Sequence, residues 1–406
     1  MHRLIRKAAI LTAAALSLAA CSHGSGSSGA EQAPTAPAAG IVIGLINTED
    51  APVGSFPELR RGAVVAEHYV NDTLHGIAGK PIKLVTCTTT GTPESSQACA
   101  NQLLAAHPVA VIGGVDLGAA ASLPPLQNNH IPYVGGTPAA TDPLTSGGSY
   151  MLTGGTATEV LGEVGYAADT LHVTNLAVVY SDVPGLLSQA ATLLTSIVRK
   201  KGVSQFKLFP VEGNTPDVVP VLSAVAARHP QAVIAVFPAQ DCGRIIQGVA
   251  AVGLKTTMMY PSFCGSQSVI SAAGSSLNGS IIASGYLPFT DTSDADVATY
   301  LAAVHTYDAG LEPSLLSQAG FSDVVVLQHV LAGIKGPVTA AAVSAAFKAT
   351  NQRPGFMSHA FTCDGKQIPL LPGLCNTFTQ ISIVDSGRLK PVGSWIDTGP
   401  IARLVG

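Results

Sequence analysis

Six cysteines carry the most definite chemistry in this sequence. Cys87 and Cys99, Cys242 and Cys264, and Cys363 and Cys375 fall as close neighbours along the chain. An even set of thiols in an oxidising compartment makes a disulfide framework, although spacing alone leaves the connectivity open. Zinc ligation is the competing chemistry, and it needs a Cys-x-x-Cys or His-x-x-x-His spacing that the chain lacks. Catalytic constellations are missing too. There is no Gly-x-Ser-x-Gly nucleophile elbow, no His-Glu-x-x-His, and no phosphate loop ending in Gly-Lys and a hydroxyl residue. The 11 histidines are scattered, several before prolines or at helix ends, as in His107-Pro108 and His229-Pro230, which suits surface or cap residues. Gly24-Ser25-Gly26-Ser27-Ser28-Gly29 satisfies a dinucleotide-binding glycine pattern, but no strand precedes it and it is set aside. The chain is therefore expected not to be an enzyme and to hold no cofactor and no metal.

A seventh cysteine belongs to the N-terminus. Arg3, Arg6 and Lys7 precede an apolar run over 8–20, too short for a permanent membrane span but of the right length for a secretory signal. The run ends Leu18-Ala19-Ala20-Cys21, which resembles a bacterial lipobox, where cleavage precedes a cysteine that then carries lipid. Residues 1–20 are accordingly expected as signal peptide, and 21–40, rich in Ser and Gly and then in Ala and Pro, as a lipid-anchored flexible tether. This places the mature protein outside the cell membrane, anchored to its outer face.

The elements that position any site must come from the rest. At 406 residues, with 47% hydrophobic and only 11% charged residues, the chain has material for more than one core, so two lobes are expected. A net charge of -4 without a basic run beyond residue 7 argues against nucleic acid. The run Ile41-Val42-Ile43-Gly44-Leu45-Ile46-Asn47 reads as a strand buried on both faces. After Pro57 the apolar residues Leu59, Ala63, Ala66 and Val70 take helical spacing. Strand signals at 82–87, 109–112 and 131–134 then alternate with helix signals at 93–105 and 119–129. The alternation restarts after Gly154-Gly155, with helices expected at 160–171, 186–201, 218–227 and 244–252 and strands at 176–180, 206–211, 232–237, 256–260 and 280–285. This predicts an α/β fold of two doubly wound parallel sheets, with ligands at the carboxyl ends of the strands. Helices at 295–307, 319–334 and 339–350, with no strand between them, fit a chain that returns to complete the first lobe. The tail over 356–395 is β-like, and Cys363-Asp364-Gly365 to Cys375 looks like a disulfide-closed hairpin.

Several stretches, taken in order, carry a resemblance. They are Ile43-Gly44-Leu45, Arg61-Gly62-Ala63 with Asn71, Val111-Ile112-Gly113-Gly114, Pro138-Ala139-Ala140-Thr141-Asp142-Pro143 and Val252-Gly253-Leu254-Lys255. Over roughly residues 41–395 the sequence resembles the periplasmic solute-binding proteins of ABC importers, of the branched-chain amino-acid-binding type (type I). The resemblance implies a two-lobed clamp joined by three crossing segments, near Gly154-Gly155, Ser284-Gly285 and Ala360-Phe361. The lobes would comprise 41–156 with 285–360, and 157–284 with 361–406. A small-molecule solute and ABC permease subunits are the implied partners, with the membrane reached through Cys21, and the protein is expected as a monomer.

The resemblance also implies a site. One wall would take a carboxylate with amides and hydroxyls of Asp116-Leu117-Gly118-Ala119 and Ala139-Ala140-Thr141, as helix-start amides do for anions. Thr141 would be its leading hydroxyl, although threonine also serves as an ordinary cap. Phe56 stands where the family carries an aromatic, usually tyrosine, that packs on the ligand. From the second lobe, Asp182, Pro184, Ala239, Gln240 and Ser262 would face the solute. Ser262 occupies the position of the acid that pairs with an amino acid's ammonium, so either Asp116, Asp182 or Asp241 supplies that charge or the solute is no α-amino acid. The same clamp used as a sensor for a membrane receptor, or a degenerate clamp bridging surface partners, are the rival functions.

Overall fold

Ile43 and Leu45 project to one side of the first strand and Ile46 to the other, and all three are fully buried, so β1 (Ile41–Thr48) lies inside a sheet covered on both faces. The computed structural model describes residues 40–51, 54–182, 191–212, 215–368 and 370–405. The expected signal, the tether with Cys21, and Pro184 lie outside the described residues. The described residues cluster as one compact unit.

β1 pairs in parallel with β2 (Ile82–Thr89) and β3 (Ala110–Gly113), and β4 (Tyr133–Val134) and β5 (Ser149–Tyr150) extend the sheet in the order β2-β1-β3-β4-β5. α1 (Pro57–Asp72) covers one face, while α2 (Pro93–Ala105) and α3 (Ala119–Asn128) cover the other. Pro57 opens α1, and Thr92 caps α2 by accepting the Ser95 amide. A single turn, α4 (Asp142–Thr145), leads into β5.

The chain then crosses to a second sheet through α5 (Gly155–Gly165). Its parallel strands are β6 (Asn175–Asp182), β7 (Gln205–Glu212), β8 (Ala232–Val236), β9 (Thr257–Pro261) and β10 (Ile281–Ser284). Antiparallel β11 (Phe378–Asp385) and β12 (Arg388–Pro391) complete the order β12-β11-β10-β9-β8-β6-β7, and β13 (Ile396–Asp397) pairs with the start of β11. α5 and α6 (Ala191–Lys200) lie on one face, with α7 (Val219–Ala226), α8 (Cys242–Ala251) and α9 (Gln267–Ala273) on the other. This is the doubly wound architecture expected of the sequence.

Between β10 and β11 the chain returns to the first sheet. α10 (Ala295–Tyr307), α11 (Leu315–Leu331) and α12 (Ala340–Lys348) pack there, with Tyr150 of β5 stacked on Phe347 of α12. α1 and α11 cross at two glycines. A β-carbon on Gly62 would overlap the Ser317 carbonyl, and one on Gly320 the Leu59 carbonyl, so any larger residue would push the helices apart. The sequence places the start of this helix at residue 319, but it begins at Leu315, where Ser314 and Ser317 form a capping box. α5 likewise begins at Gly155, five residues before its first apolar-periodic residue, and ends in a π-helical turn over Tyr166–Thr170.

All three neighbouring cysteine pairs form disulfides: Cys87–Cys99, Cys242–Cys264 and Cys363–Cys375. The Cys363–Cys375 loop holds no strand among its described residues, so the hairpin expected there is a series of turns. It lies on the first sheet rather than the second. The Met151 amide donates to the Gly373 carbonyl at 2.8 Å, the Cys375 amide donates to the Met151 carbonyl at 3.0 Å, and Ile368 and Leu374 are buried with Val111 and Leu123. His75, His107, His130, His172 and His229 adopt left-handed backbone after helices and are exposed, consistent with the terminal role read from the sequence.

Candidate functional site

The loop after β1 meets the loops after β8 and β9. Phe56, in the loop after β1, stands 5.5 Å from Phe263, in the loop after β9, ring centroid to centroid, with the planes tilted by 38°. A cavity of about 440 Å³ opens beside them, lined by Ser55, Glu58 and Arg61 from the first half and Gln240, Ser266 and Val269 from the second. The two halves thus meet through the loops that the parallel-sheet rule singles out for ligands.

Asn47 organises the first wall. Its side-chain amide donates to the Phe56 carbonyl at 2.7 Å and to Glu49 at 3.1 Å, and its carbonyl oxygen accepts the Val115 amide at 3.0 Å. One buried carboxamide therefore ties the loop that carries Phe56 to the loop that carries residues 116–119. Glu49 forms a two-pronged pair with Arg60, at 2.7 and 2.9 Å.

Asp116 faces inward. One carboxylate oxygen accepts the Ser96 hydroxyl at 2.6 Å and the Gly118 amide at 3.2 Å, and the other accepts the Ser122 hydroxyl at 2.6 Å. Burial raises its pKa, and these hydrogen bonds work the other way. The Leu117 amide donates to Thr48 and the Ala119 amide to the Asp116 carbonyl, so the amides of Leu117, Gly118 and Ala119 are all engaged within the first half. By contrast, the amides of Ala139, Ala140 and Thr141 make no hydrogen bond among the described residues. Ala139 is buried, Ala140 half-buried and Thr141 exposed, and the Thr141 side chain makes no cap hydrogen bond at the start of α4.

On the second wall, Ser262 is buried and its amide donates to Glu159 at 3.1 Å. Glu159 projects from α5 into the protein interior, where burial pushes its pKa up to about 7 against the Ser262 and Gly285 hydrogen bonds. Glu163, one turn further on, is raised by burial and by the charge of Glu159. Cys264 is bridged to Cys242 at the start of α8, so the loop after β9 is held on both sides of Phe263. Ala239 is half-buried, Gln240 is exposed, and Asp182 ends β6 exposed. Asp241 pairs with Arg244 at 2.9 Å. The structure thus brings together Phe56, Gln240 and the Ser262 loop, and turns Asp116 away from them. Among the described residues no group of three or more His, Cys, Asp or Glu is arranged to hold a metal ion.

Sequence reading missed Phe263 as a partner of Phe56, and it missed Asn47, Glu159 and Asp323. Asp323, on α11, is fully buried and accepts the Gly136 amide at 2.7 Å. Burial pushes its pKa up to about 8, with Gly136 and the neighbouring Tyr286 hydroxyl lowering it. Gly136 has φ of +88°, and a β-carbon there would overlap the Gly113 carbonyl, so only glycine brings this amide to Asp323. The available signal was an acid set inside the apolar run of α11, Gly320-Phe321-Ser322-Asp323-Val324-Val325-Val326.

The family described as periplasmic binding protein matches residues 40–370. A search of curated proteins finds no match. Among solved structures, a fatty acid ABC transporter substrate-binding protein from Thermomonospora curvata superposes with a TM-score of 0.75 at 13% identity, over 90% of this chain and 94% of that one. A solute-binding protein of an ABC transporter from R. palustris, in complex with 4-hydroxybenzoate, gives 0.73 at 17% identity, over 88% and 97%. The branched-chain amino acid transporter substrate-binding protein of Streptococcus pneumoniae, in complex with isoleucine, gives 0.69 at 16% identity, over 87% and 99%.

Proposed function

Because the chain belongs to the periplasmic binding protein family, we propose that it captures a small carboxylate between its two halves and delivers it to the membrane subunits of an ABC importer. The observation that carries this reading is the meeting of Phe56 and Phe263 beside a cavity lined on one side by the start of α1 and the loop before α11 and on the other by the loop after β8 and the start of α9. Each sheet with its helices acts as a lobe, the strip over 361–376 moving with the first, and the segments near Gly154-Gly155, near Ser284-Gly285 and just before β11 absorb the hinge motion. The solute's carboxylate meets the amides of Ala139, Ala140 and Thr141 and the Thr141 hydroxyl, which have no partner among the described residues. Thr141, Phe56, Gln240 and Ser262 are the contacts retained from the sequence, and Asp116 supports the wall from behind.

We read the solute as one without an ammonium. Ser262 presents no charge, Asp116 is engaged internally and Asp241 is held by Arg244, so of the acids named from the sequence only Asp182, exposed at the end of β6, is left to pair with one, while Glu58 and Glu312 line the cavity. Solved proteins of this fold hold isoleucine, are described as carrying fatty acids, or hold 4-hydroxybenzoate, so a carboxylate without an ammonium is within the fold's reach. The protein is a monomer held at the outer face of the cell membrane by lipid on Cys21. Titration calorimetry with leucine, valine, hexanoate, benzoate and acetamide tests the reading. One-to-one binding of a carboxylate is expected; tight binding of leucine or valine would remove the exclusion of amino acids, and silence from every carboxylate would remove the capture reading.

A further inference from the structure

We propose that Phe263 is a specificity-determining contact, forming with Phe56 a two-sided aromatic clamp that selects a carboxylate with a flat, apolar body. The inference rests on the capture reading above and deepens it by naming the solute's shape. Phe263 is the one residue of its loop whose side chain meets a ring of the opposite half. Its neighbours are each fixed. Ser262 is held by its amide on Glu159, Cys264 by the bridge to Cys242, and Gly265 by its amide, which donates to the Ser262 carbonyl at 2.9 Å. A ring carried on a loop pinned before and after it is preorganised, so little ordering is lost when it meets a solute. Phe56 is fixed in the same manner, since its carbonyl accepts the Asn47 side chain and its amide donates to the Thr48 carbonyl at 3.0 Å.

The spacing decides what fits. With centroids 5.5 Å apart the rings already touch, which leaves no layer between them. A flat body contacted on both faces needs about 7–8 Å between ring planes, twice the usual carbon contact of about 3.5–4.0 Å. Parting the halves by about 2 Å at this point therefore admits a planar ring, whereas a puckered or branched body demands a wider opening that gives up contacts between the loops. The bound state is then a sandwich in which the solute replaces the contact between Phe56 and Phe263.

Calorimetry on the full mature chain with benzoate, cyclohexanecarboxylate and leucine tests this, using Phe263→Leu and, on the other jaw, Phe56→Leu. The two carboxylates match in size and differ in planarity. Benzoate is expected to bind the wild type more tightly, and each variant is expected to lose about tenfold for benzoate but only about twofold for cyclohexanecarboxylate, as the loss of an aromatic pair implies. Equal losses for the two probes, or no loss in either variant, would overturn the clamp while leaving solute capture intact. Binding of leucine without benzoate would overturn it in the same way. Silence from all three probes would instead remove the capture reading, and the clamp with it.

Discussion

Asp323 offers a quantitative test of the buried face of the fold. Its carboxyl is completely enclosed at the join of α11 and the loop after β4, and burial pushes its pKa up to about 8, against the ordinary 3.8. Between those two values the folded protein keeps a proton that the unfolded chain has released. The native state therefore binds more protons, and its stability must fall as pH rises from about 4 to about 8. At about 1.4 kcal/mol per pH unit, raising the pH from about 5 to about 7.5 costs about 3 kcal/mol through this one group, a large share of a typical folding free energy. Replacing Asp323 with asparagine keeps the shape and an oxygen for the Gly136 amide while abolishing the titration. Urea unfolding near pH 5 and near pH 7.5 measures the effect. Near pH 5 the two proteins should lie within about 1 kcal/mol of each other, since both side chains are neutral there. Near pH 7.5 the asparagine variant should be the more stable by about 3 kcal/mol. Parallel losses in the two proteins would show that Asp323 is not held as the neutral acid, and the account of its environment would fail.

Two further outcomes follow from the site and one from the N-terminal sequence. Thr141→Ala should weaken a bound carboxylate by about 1–3 kcal/mol in calorimetry, the cost of losing one hydroxyl contact, and an unchanged affinity would take Thr141 out of the site. Asp116→Ala strands the Ser96 and Ser122 hydroxyls in the interior, so thermal unfolding should show a loss of about 2–4 kcal/mol with solute affinity nearly unchanged; lost affinity in a variant that remains fully folded would return Asp116 to the ligand. Cys21→Ser should move the exported protein from the membrane fraction to the soluble fraction of fractionated cells, and continued membrane association would end the lipid-anchor proposal.

Much of this fold was legible because its strands and helices obey simple periodicities. β1 announces itself as an unbroken apolar run, and Leu59, Ala63, Ala66 and Val70 mark the inner face of α1 before any partner is known. The disulfides pair as neighbours because each closes a short local path, as Cys87 on β2 and Cys99 on α2 do. What stayed hidden depends on contacts between distant residues. α11 is buried around nearly its whole circumference, so no polar stripe marks its register, and its true start is set by the mutual bonds of Ser314 and Ser317. Glu159 resembles an ordinary helix acid in sequence, and Asp323 is marked there only by its apolar neighbours. Only the fold reveals that they reach Ser262 and Gly136, which lie 103 and 187 residues away. The Cys363–Cys375 loop misled for a local reason, because its Asp364-Gly365 turn signal is real, with Gly365 at φ +71°, yet no pair of strands flanks it.

Most of the charges around the cleft are already paired, Glu58 and Glu312 on the cavity wall being in no ion pair among the described residues, and this favours amides and rings as the recognising groups of the proposed capture. Glu49 is held by Arg60, Arg61 by Asp308 and Asp241 by Arg244, each pair at 2.7–2.9 Å. A solute that recruited one of these side chains would have to break an existing pair, and the gain from exchanging one partly exposed ion pair for another is close to zero. The deeper acids are no better placed, because Glu159 is enclosed behind Ser262 and Asp323 behind Gly136. In the proposed capture a carboxylate is then best met by the backbone amides of residues 139–141, which make no hydrogen bond among the described residues, and an apolar body by the Phe56 and Phe263 rings, which meet across the two halves. Selectivity in such a cleft follows from shape and from the count of free donors, which is why the planar and puckered acids should separate where a change of charge elsewhere on the surface should not.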